Sequence, residues 1–417
     1  MINRLVFFSL SLLPLTLILG IFFSELIIIF IILFFVIKNK NKKFFFKNNF
    51  FYILFTFYIY IVLRSFFVEN IVLSLETSLF YIRFILFSLG VWFLLKKNPN
   101  LINYFYGILG IVLFVLVMDG FFQFFFKYNI IGYISPRPDR LTGLFKDEMK
   151  IGSYIIKILP LYLSLFFYFF NNKRKIVNLL NIFLILLCAI LILLSGERAA
   201  IFSLFLLIFI LFFSIRFSFK IKFISLLIVF FFLVLPILLI PKLKDRIIIQ
   251  THSQIIFFEK EKNTKVFNFI YYNEIFDTSY KMFLDNVFFG QGPKQFRFLC
   301  SKEKFLSTNK DTQKNGCTTH PHNYYIQLLA ETGLVGFSFI FFLFLYSVKK
   351  IIFHIFLSGH KKIFILTNYE ICLLSSFCIS LFPFMTTGNF FNNWNSILLF
   401  LSVGFYLNKI YKFNMIK

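Results

Sequence analysis

Apolar residues run in long blocks along this chain, interrupted by short polar segments rich in lysine and asparagine. The blocks are about 15–25 residues long, enough to cross a hydrocarbon core of roughly 30 Å as helix. The in-and-out alternation of β-barrel strands is absent. The pattern predicts an all-α, polytopic membrane protein with about twelve transmembrane helices. The expected spans are 5–20, 22–37, 50–64, 77–95, 101–126, 151–170, 176–194, 197–213, 221–240, 321–347, 363–382 and 394–410. The first two are short and close enough to form a tight hairpin. The first follows Arg4 and lacks a small-residue cleavage site, so it reads as a retained helix and not a cleaved signal peptide.

The polar connections alternate in charge. One set is basic: Lys38 to Lys47 carries five lysines, and Lys96-Lys97, Lys173 to Lys175, Arg216 to Lys222, Lys349-Lys350, Lys361-Lys362 and Lys409, Lys412 and Lys417 follow. The other set is poor in Lys and Arg or contains acids, as at Ser24-Glu25, Glu69 to Glu76, Ser195 to Glu197 and Pro383 to Asn393. The positive-inside rule puts the basic set and both termini in the cytoplasm. Residues 1–240 then hold nine spans, 241–320 form a large periplasmic loop, and 321–417 hold the last three. The most polar connections, Lys127–Lys150, Ser195–Arg198 and Pro241–His320, all fall on the outer side, so any chemistry is extracytoplasmic.

Composition agrees with the membrane class: 59% of residues are hydrophobic and mean hydropathy is +0.83. The net charge of +25 is topological in origin, since the lysines cluster between apolar runs, and does not point to nucleic acid. Cys188, Cys372 and Cys378 lie inside spans as packing residues. Cys300 and Cys317 lie in the long loop, where an oxidising compartment would permit a disulfide worth roughly 3 kcal/mol by chain entropy. No CxxC or HExxH spacing suggests a metal site.

Three polar stretches could carry chemistry. In "HPHN" (His320–Asn323), Pro321 suits the first position of a helix and His322 its first turn. Unpaired amides and the helix dipole would there favour a neutral imidazole, a base for a hydroxyl. The plainer alternative is an interfacial histidine that only caps. In "LLSGERAAIF" (193–202), Arg198 opens a helix at the outer interface, where a guanidinium over a helix N-terminus suits a phosphate oxyanion; a snorkelling anchor is the simpler role. Glu197 could pair with it or simply complement the dipole. In "SPRPDRLTGLFKDEMKIGSY" (135–154), Arg140 and Arg137 could add phosphate contacts. Charges inside spans are costly and are expected to be paired or functional. Arg83, Asp119 and Lys157 are such residues, and Asp119 is expected to pair with Arg83 or Lys157. Arg246 and Arg297 are further basic candidates of the loop, and "FFGQGPKQF" (288–296) is a Gly-rich turn.

Together these pieces resemble the O-antigen ligase/polymerase family of bacterial envelope glycosyltransferases. The most specific match is His322-Asn323, nine residues from Tyr324 to Thr332, then Gly333, Leu334-Val335 and Gly336. "SGERAA" resembles the family's Ser/Gly-rich turn with its arginine at Arg198, and "RLTGLF" places Arg140 at the matching position. "DGFFQFF" (119–125) and "FFGQGPKQF" are similar as well.

The resemblance implies a glycosyl transfer in the bacterial inner membrane, with an undecaprenyl-diphosphate-linked glycan as donor. A sugar hydroxyl of lipid A-core would be the acceptor, and neither metal nor other cofactor is needed. It implies His322 as base and Arg198 and Arg140 as diphosphate ligands. Arg246 or Arg297 would be the loop arginine, and spacing does not choose between them. The complete His-Asn-x9-Gly-x2-Gly pattern favours a ligase. A polymerase and a protein O-oligosaccharyltransferase share the parts, and a lipid or glycan transporter would also explain the spans and intramembrane charges.

Overall fold

The computed structural model describes residues 2–40, 42–170, 174–215, 217–252, 272–307, 316–360 and 363–411. Of the basic positions above, Lys173, Arg216, Lys361, Lys362, Lys412 and Lys417 lie outside these, as do 253–271 and 308–315 of the long polar segment. No strand occurs among the described residues, which form a helical bundle with one isolated bridge between Tyr128 and Ile134.

In chain order the helices are α1 (Ile2–Leu19), α2 (Ile21–Lys38), α3 (Lys42–Phe46), α4 (Asn49–Ser65), α5 (Ile71–Lys97), α6 (Leu101–Phe126), α7 (Ile151–Phe169), α8 (Lys175–Leu194) and α9 (Arg198–Ser214). Next come α10 (Phe219–Val229), a π turn, α11 (Leu235–Leu239) and α12 (Pro241–Lys244). The series ends with α13 (Asn273–Asp285), α14 (Phe296–Leu299), α15 (Tyr324–His360), α16 (Asn368–Ser380) and α17 (Asn393–Ile410). Each expected span falls on a helix. Seven helices among the described residues are long and apolar enough to cross a membrane: α2, α5, α6, α7, α8, the run Phe219–Leu239 and Tyr324–Gly359. The other five expected spans are shorter or less apolar.

Some boundaries move for local reasons. α5 begins at Ile71 because Asn70 caps it, its side chain accepting from Leu73 N at 3.1 Å. α16 begins at Asn368 because Thr367 and Glu370 form a capping box. The long polar segment is not a simple loop, since it contains α12, a π turn at Asp245–Ile249, α13 and α14.

The bundle is sorted by burial. Phe219 is 77% and Leu239 68% exposed on the α10–α11 run, an apolar surface suited to lipid. At the centre, α16 is buried from Ile371 to Ser380, serines included. Its 13 residues reach only about 20 Å at 1.5 Å each. The chain therefore continues as irregular backbone, 381–392, inside the end of the bundle that carries His322. Irregular backbone is tolerated at that depth only where protein satisfies its polar groups, and α15 supplies the partners. Tyr325 Oη donates to Leu381 O at 2.6 Å, and Asn323 Nδ2 donates to Pro383 O at 2.7 Å and Met385 O at 3.1 Å. Gln327 Oε1 accepts from Phe390 N at 2.9 Å.

The opposite flank of α15 is stitched to residues 287–292. α15 breaks at Gly333, where φ is 59° and ψ −168°, a conformation nearly confined to glycine. A break frees amides after it and carbonyls before it. Leu334 N donates to Val287 O (2.9 Å) and Val335 N to Phe288 O (3.1 Å). Gln291 N reaches Ala330 O (2.9 Å) and Gly292 N reaches Glu331 O (2.6 Å). Tyr60 Oη donates to Thr332 O at 2.6 Å, while Arg64 Nη2 donates to Gly290 O at 2.6 Å. The Gly-rich turn 288–296 thus serves to fill a helix break.

Candidate active site

The first part of the site is built around the turn between α8 and α9. Ser195 and Gly196 make the turn, with Gly196 at φ +70°. A Cβ on Gly196 would lie 2.4 Å from Asp139 O, so glycine permits the 135–141 segment to press against it. Leu141 N donates to Ser195 O at 3.2 Å in the same contact. From the other side Arg246 Nε donates to Gly196 O at 3.3 Å. Arg198 is the first residue of α9 and donates from Nη1 to Thr251 Oγ1 at 3.3 Å.

Arg137, Arg140, Arg198 and Arg246 therefore converge from three segments on one turn. Burial, then the charges of Arg198, Arg140 and Arg137, lower the pKa of the Arg246 guanidinium, with Asp139 opposing them; a guanidinium stays charged regardless. Asp139 lies 2.9 Å from Arg137 Nη2 and 3.4 Å from Arg246 Nε. Its own burial would raise its carboxyl, but the Arg137 hydrogen bond and the Arg246 and Arg137 charges outweigh that and hold it below its ordinary value. Glu197 does not pair with Arg198. Its carboxylate accepts from Gly152 N at 2.7 Å and Ser153 N at 3.1 Å, at the N-terminus of α7. Four guanidiniums against two carboxylates leave a net positive cluster beside the N-terminus of α9, the electrostatics of an oxyanion site.

The second part is the histidine pair. Pro321 and His322 lie before α15 and not in its first turn. Asn323 takes the cap position, its Oδ1 accepting from Tyr325 N at 2.9 Å and Ile326 N at 3.1 Å, because an asparagine oxygen can satisfy two orphan amides at once. His322 is left with φ 58°, a left-handed conformation uncommon for a residue with a side chain. Its carbonyl accepts from Thr387 N at 2.7 Å. Its ring centroid is 4.2 Å from that of His320 and 5.4 Å from that of Tyr272. Burial, then the neighbouring His322 and Arg297, push His320 down to about 4, so it is neutral near pH 7.

The two loop arginines therefore take different places: Arg246 joins the arginine cluster, and Arg297, on α14, exerts its charge on His320 as well as on Lys294 and Glu331. A short path links the two parts. Ser203, five residues past Arg198 on α9, lies with Oγ 3.0 Å from Met385 Sδ, and the Met385 carbonyl accepts from Asn323 beside His322. Cys300 and Cys317 are bonded, tying the segment before His320 to the end of α14.

The intramembrane charges pair differently from the expectation. Arg83 is 3.0 Å from Glu25 and donates to Asn393 Oδ1 at 2.9 Å. Lys157 donates to Asn395 Oδ1 and sits 5.3 Å from the Trp394 ring, which Lys150 also approaches at 5.1 Å. Asp119 makes no ion pair among the described residues; its Oδ1 accepts from Ile130 N at 3.0 Å. One turn on, Gln123 Oε1 accepts from Thr142 N (2.9 Å) and Gly143 N (2.8 Å). "DGFFQFF" thus anchors the loop that carries Arg140 instead of forming a buried ion pair. A backbone amide could satisfy Asp119 at short range, whereas Arg83 and Lys157 had nearer partners.

Residues 183–341 match the family model described as O-Antigen ligase. Over this stretch the chain is similar to the O-antigen ligase family. The matched stretch contains Arg198, Arg246, Arg297 and the whole His322–Gly336 pattern, and excludes Arg140. No curated protein matches the chain. The apolar helices and this match together support a multi-pass membrane protein with activity of the O-antigen ligase or polymerase type. Sequence reasoning missed the parts Asp139, Gln123 and Tyr272 play in this candidate site. Gln123 stood four residues from Asp119 on one helix face, a usable signal; nothing local marked Tyr272.

Proposed function

We propose that this protein is an O-antigen ligase, transferring a glycan from undecaprenyl diphosphate to a sugar hydroxyl of lipid A-core on the periplasmic side of the inner membrane. Twelve spans with both termini cytoplasmic put the arginine cluster and the histidine pair in one compartment. His322 takes the proton of the acceptor hydroxyl. The oxygen attacks the anomeric carbon, the bond from that carbon to the diphosphate breaks, and its electron pair leaves with the lipid diphosphate. Arg198, Arg140 and Arg246 stabilise the leaving group, preorganised by the Gly196 turn and by Asp139. Arg297 acts on the histidine side.

The observation that supports this reading is the convergence of Arg140, Arg198 and Arg246 on one turn, one step through Ser203 and Met385 from Asn323. Complementation of strains lacking either the ligase or the polymerase, scored by lipopolysaccharide gel, tests it. Restored attachment is expected; a restored ladder of repeat lengths would instead identify a polymerase. A His322→Ala protein that inserts normally and keeps full activity would sink the enzyme reading and favour transport.

A further inference from the structure

A cavity of about 600 Å³ lies at the other end of the bundle from the histidines. Phe50 and Ile53 of α4, Phe339, Phe342 and Leu343 of α15 and Leu407 of α17 form its walls. Along α15 it runs from Val335, just past the Gly333 break, to Tyr346. Those twelve residues rise about 16 Å over eleven steps, close to half of a hydrocarbon core of roughly 30 Å. The groove is therefore one leaflet deep. Its walls offer little to a polar ligand, since Ser338 Oγ already donates to Leu334 O at 2.6 Å.

The inner end is different. Tyr346 and Tyr406 meet through their hydroxyls at 3.2 Å, with Asn49 and Tyr411 beside them. Exposed lysines flank this end on all three helices: Lys47 before α4, Lys350 with Nζ 5.6 Å from the Tyr346 ring, and Lys409 next to Ile410. The one acid acting on Tyr406, Glu370, already holds the Thr367 cap.

We infer that the groove binds an anionic phospholipid, one acyl chain lying between α4, α15 and α17 and its phosphate held by Lys47, Lys350 and Lys409. An apolar slot one leaflet deep, closed at the membrane boundary by hydroxyls and three cations, matches that amphiphile in length and in charge. Assigning the lipid to the cytoplasmic leaflet rests on the topology proposed above. The lipid braces the part of α15 directly below the break that holds residues 287–292.

The test uses the purified full chain in detergent, with phosphatidylglycerol or phosphatidylcholine added, read by native mass spectrometry and by thermal unfolding. Phosphatidylglycerol is expected to remain bound and to raise the melting midpoint by several degrees, and phosphatidylcholine to do neither. Ser338→Trp, which fills the groove, and the triple variant Lys47→Gln, Lys350→Gln, Lys409→Gln should each lose the effect. If Ser338→Trp does not fold, the triple variant, altered only at exposed side chains, decides. Equal binding of both lipids, or undiminished binding by the triple variant, overturns the inference. Displacement of phosphatidylglycerol by undecaprenyl phosphate also overturns it, since the groove would then hold the donor's tail. Binding by a His322→Ala protein keeps this result separate from the fate of the enzyme reading.

Discussion

Gly290 and Gly333 meet backbone to backbone: a Cβ on Gly290 would lie 2.4 Å from Gly333 N, and one on Gly333 would lie 2.6 Å from Gly290 N. The contact joins the Gly-rich turn to the break in α15. Gly333→Ala adds a strained conformation and a backbone clash, so it should destabilise the protein by at least about 2 kcal/mol. Gly336→Ala also meets a buried side chain, Thr332, but adds no left-handed backbone strain, so it should cost less. Thermal unfolding in detergent checks the order; a wild-type midpoint for Gly333→Ala would refute the docking.

The arginine cluster predicts unequal losses. Arg198→Ala should lower kcat/KM by about 10²–10³-fold, as removal of a preorganised oxyanion donor does. Arg246→Ala should lower it too, whereas Arg297→Ala should leave binding of the lipid diphosphate intact. Affinity for undecaprenyl diphosphate, measured directly, separates them. Equal losses of affinity for Arg246→Ala and Arg297→Ala would contradict the division of the site.

The histidine pair predicts an acid-sensitive fold. His320 is pushed down to about 4 in the folded chain, against about 6.5 unfolded. As pH falls from 6.5 toward 4 the unfolded state takes up the proton first, so stability is full above that window and declines through it. His320→Gln should remove part of the decline. Melting midpoints at pH 7 and pH 5 for both proteins test this; identical slopes would count against a buried neutral His320.

Arg83 should be rescued by Glu25 and not by Asp119. Arg83→Glu is expected to destabilise, and Glu25→Arg to restore much of the loss, because the 3.0 Å pair would be reversed in place. Asp119→Arg in the same background should add damage by releasing Ile130 N. Expression level and thermal midpoint of the double variants give the comparison.

The membrane class, the positions of the helices, and Arg198 at a helix start were legible in the chain itself. Hydropathy and capping are local properties, and a run of apolar side chains reads the same in any tertiary context. The His322–Gly336 pattern was visible as well, but its meaning was not. Pro321 suggested a helix start that Asn323 took instead, and Gly333 stood as a pattern position where the backbone in fact breaks. Both outcomes depend on segments far away in sequence: Thr387 holds the His322 carbonyl, and residues 287–292 fill the break. The partners of Asp119, Arg83 and Lys157, and the separation of Arg246 from Arg297, were likewise decided only in three dimensions. A buried charge takes whichever counter-group the packing of other elements brings within about 3 Å, and no spacing along one helix encodes that distance.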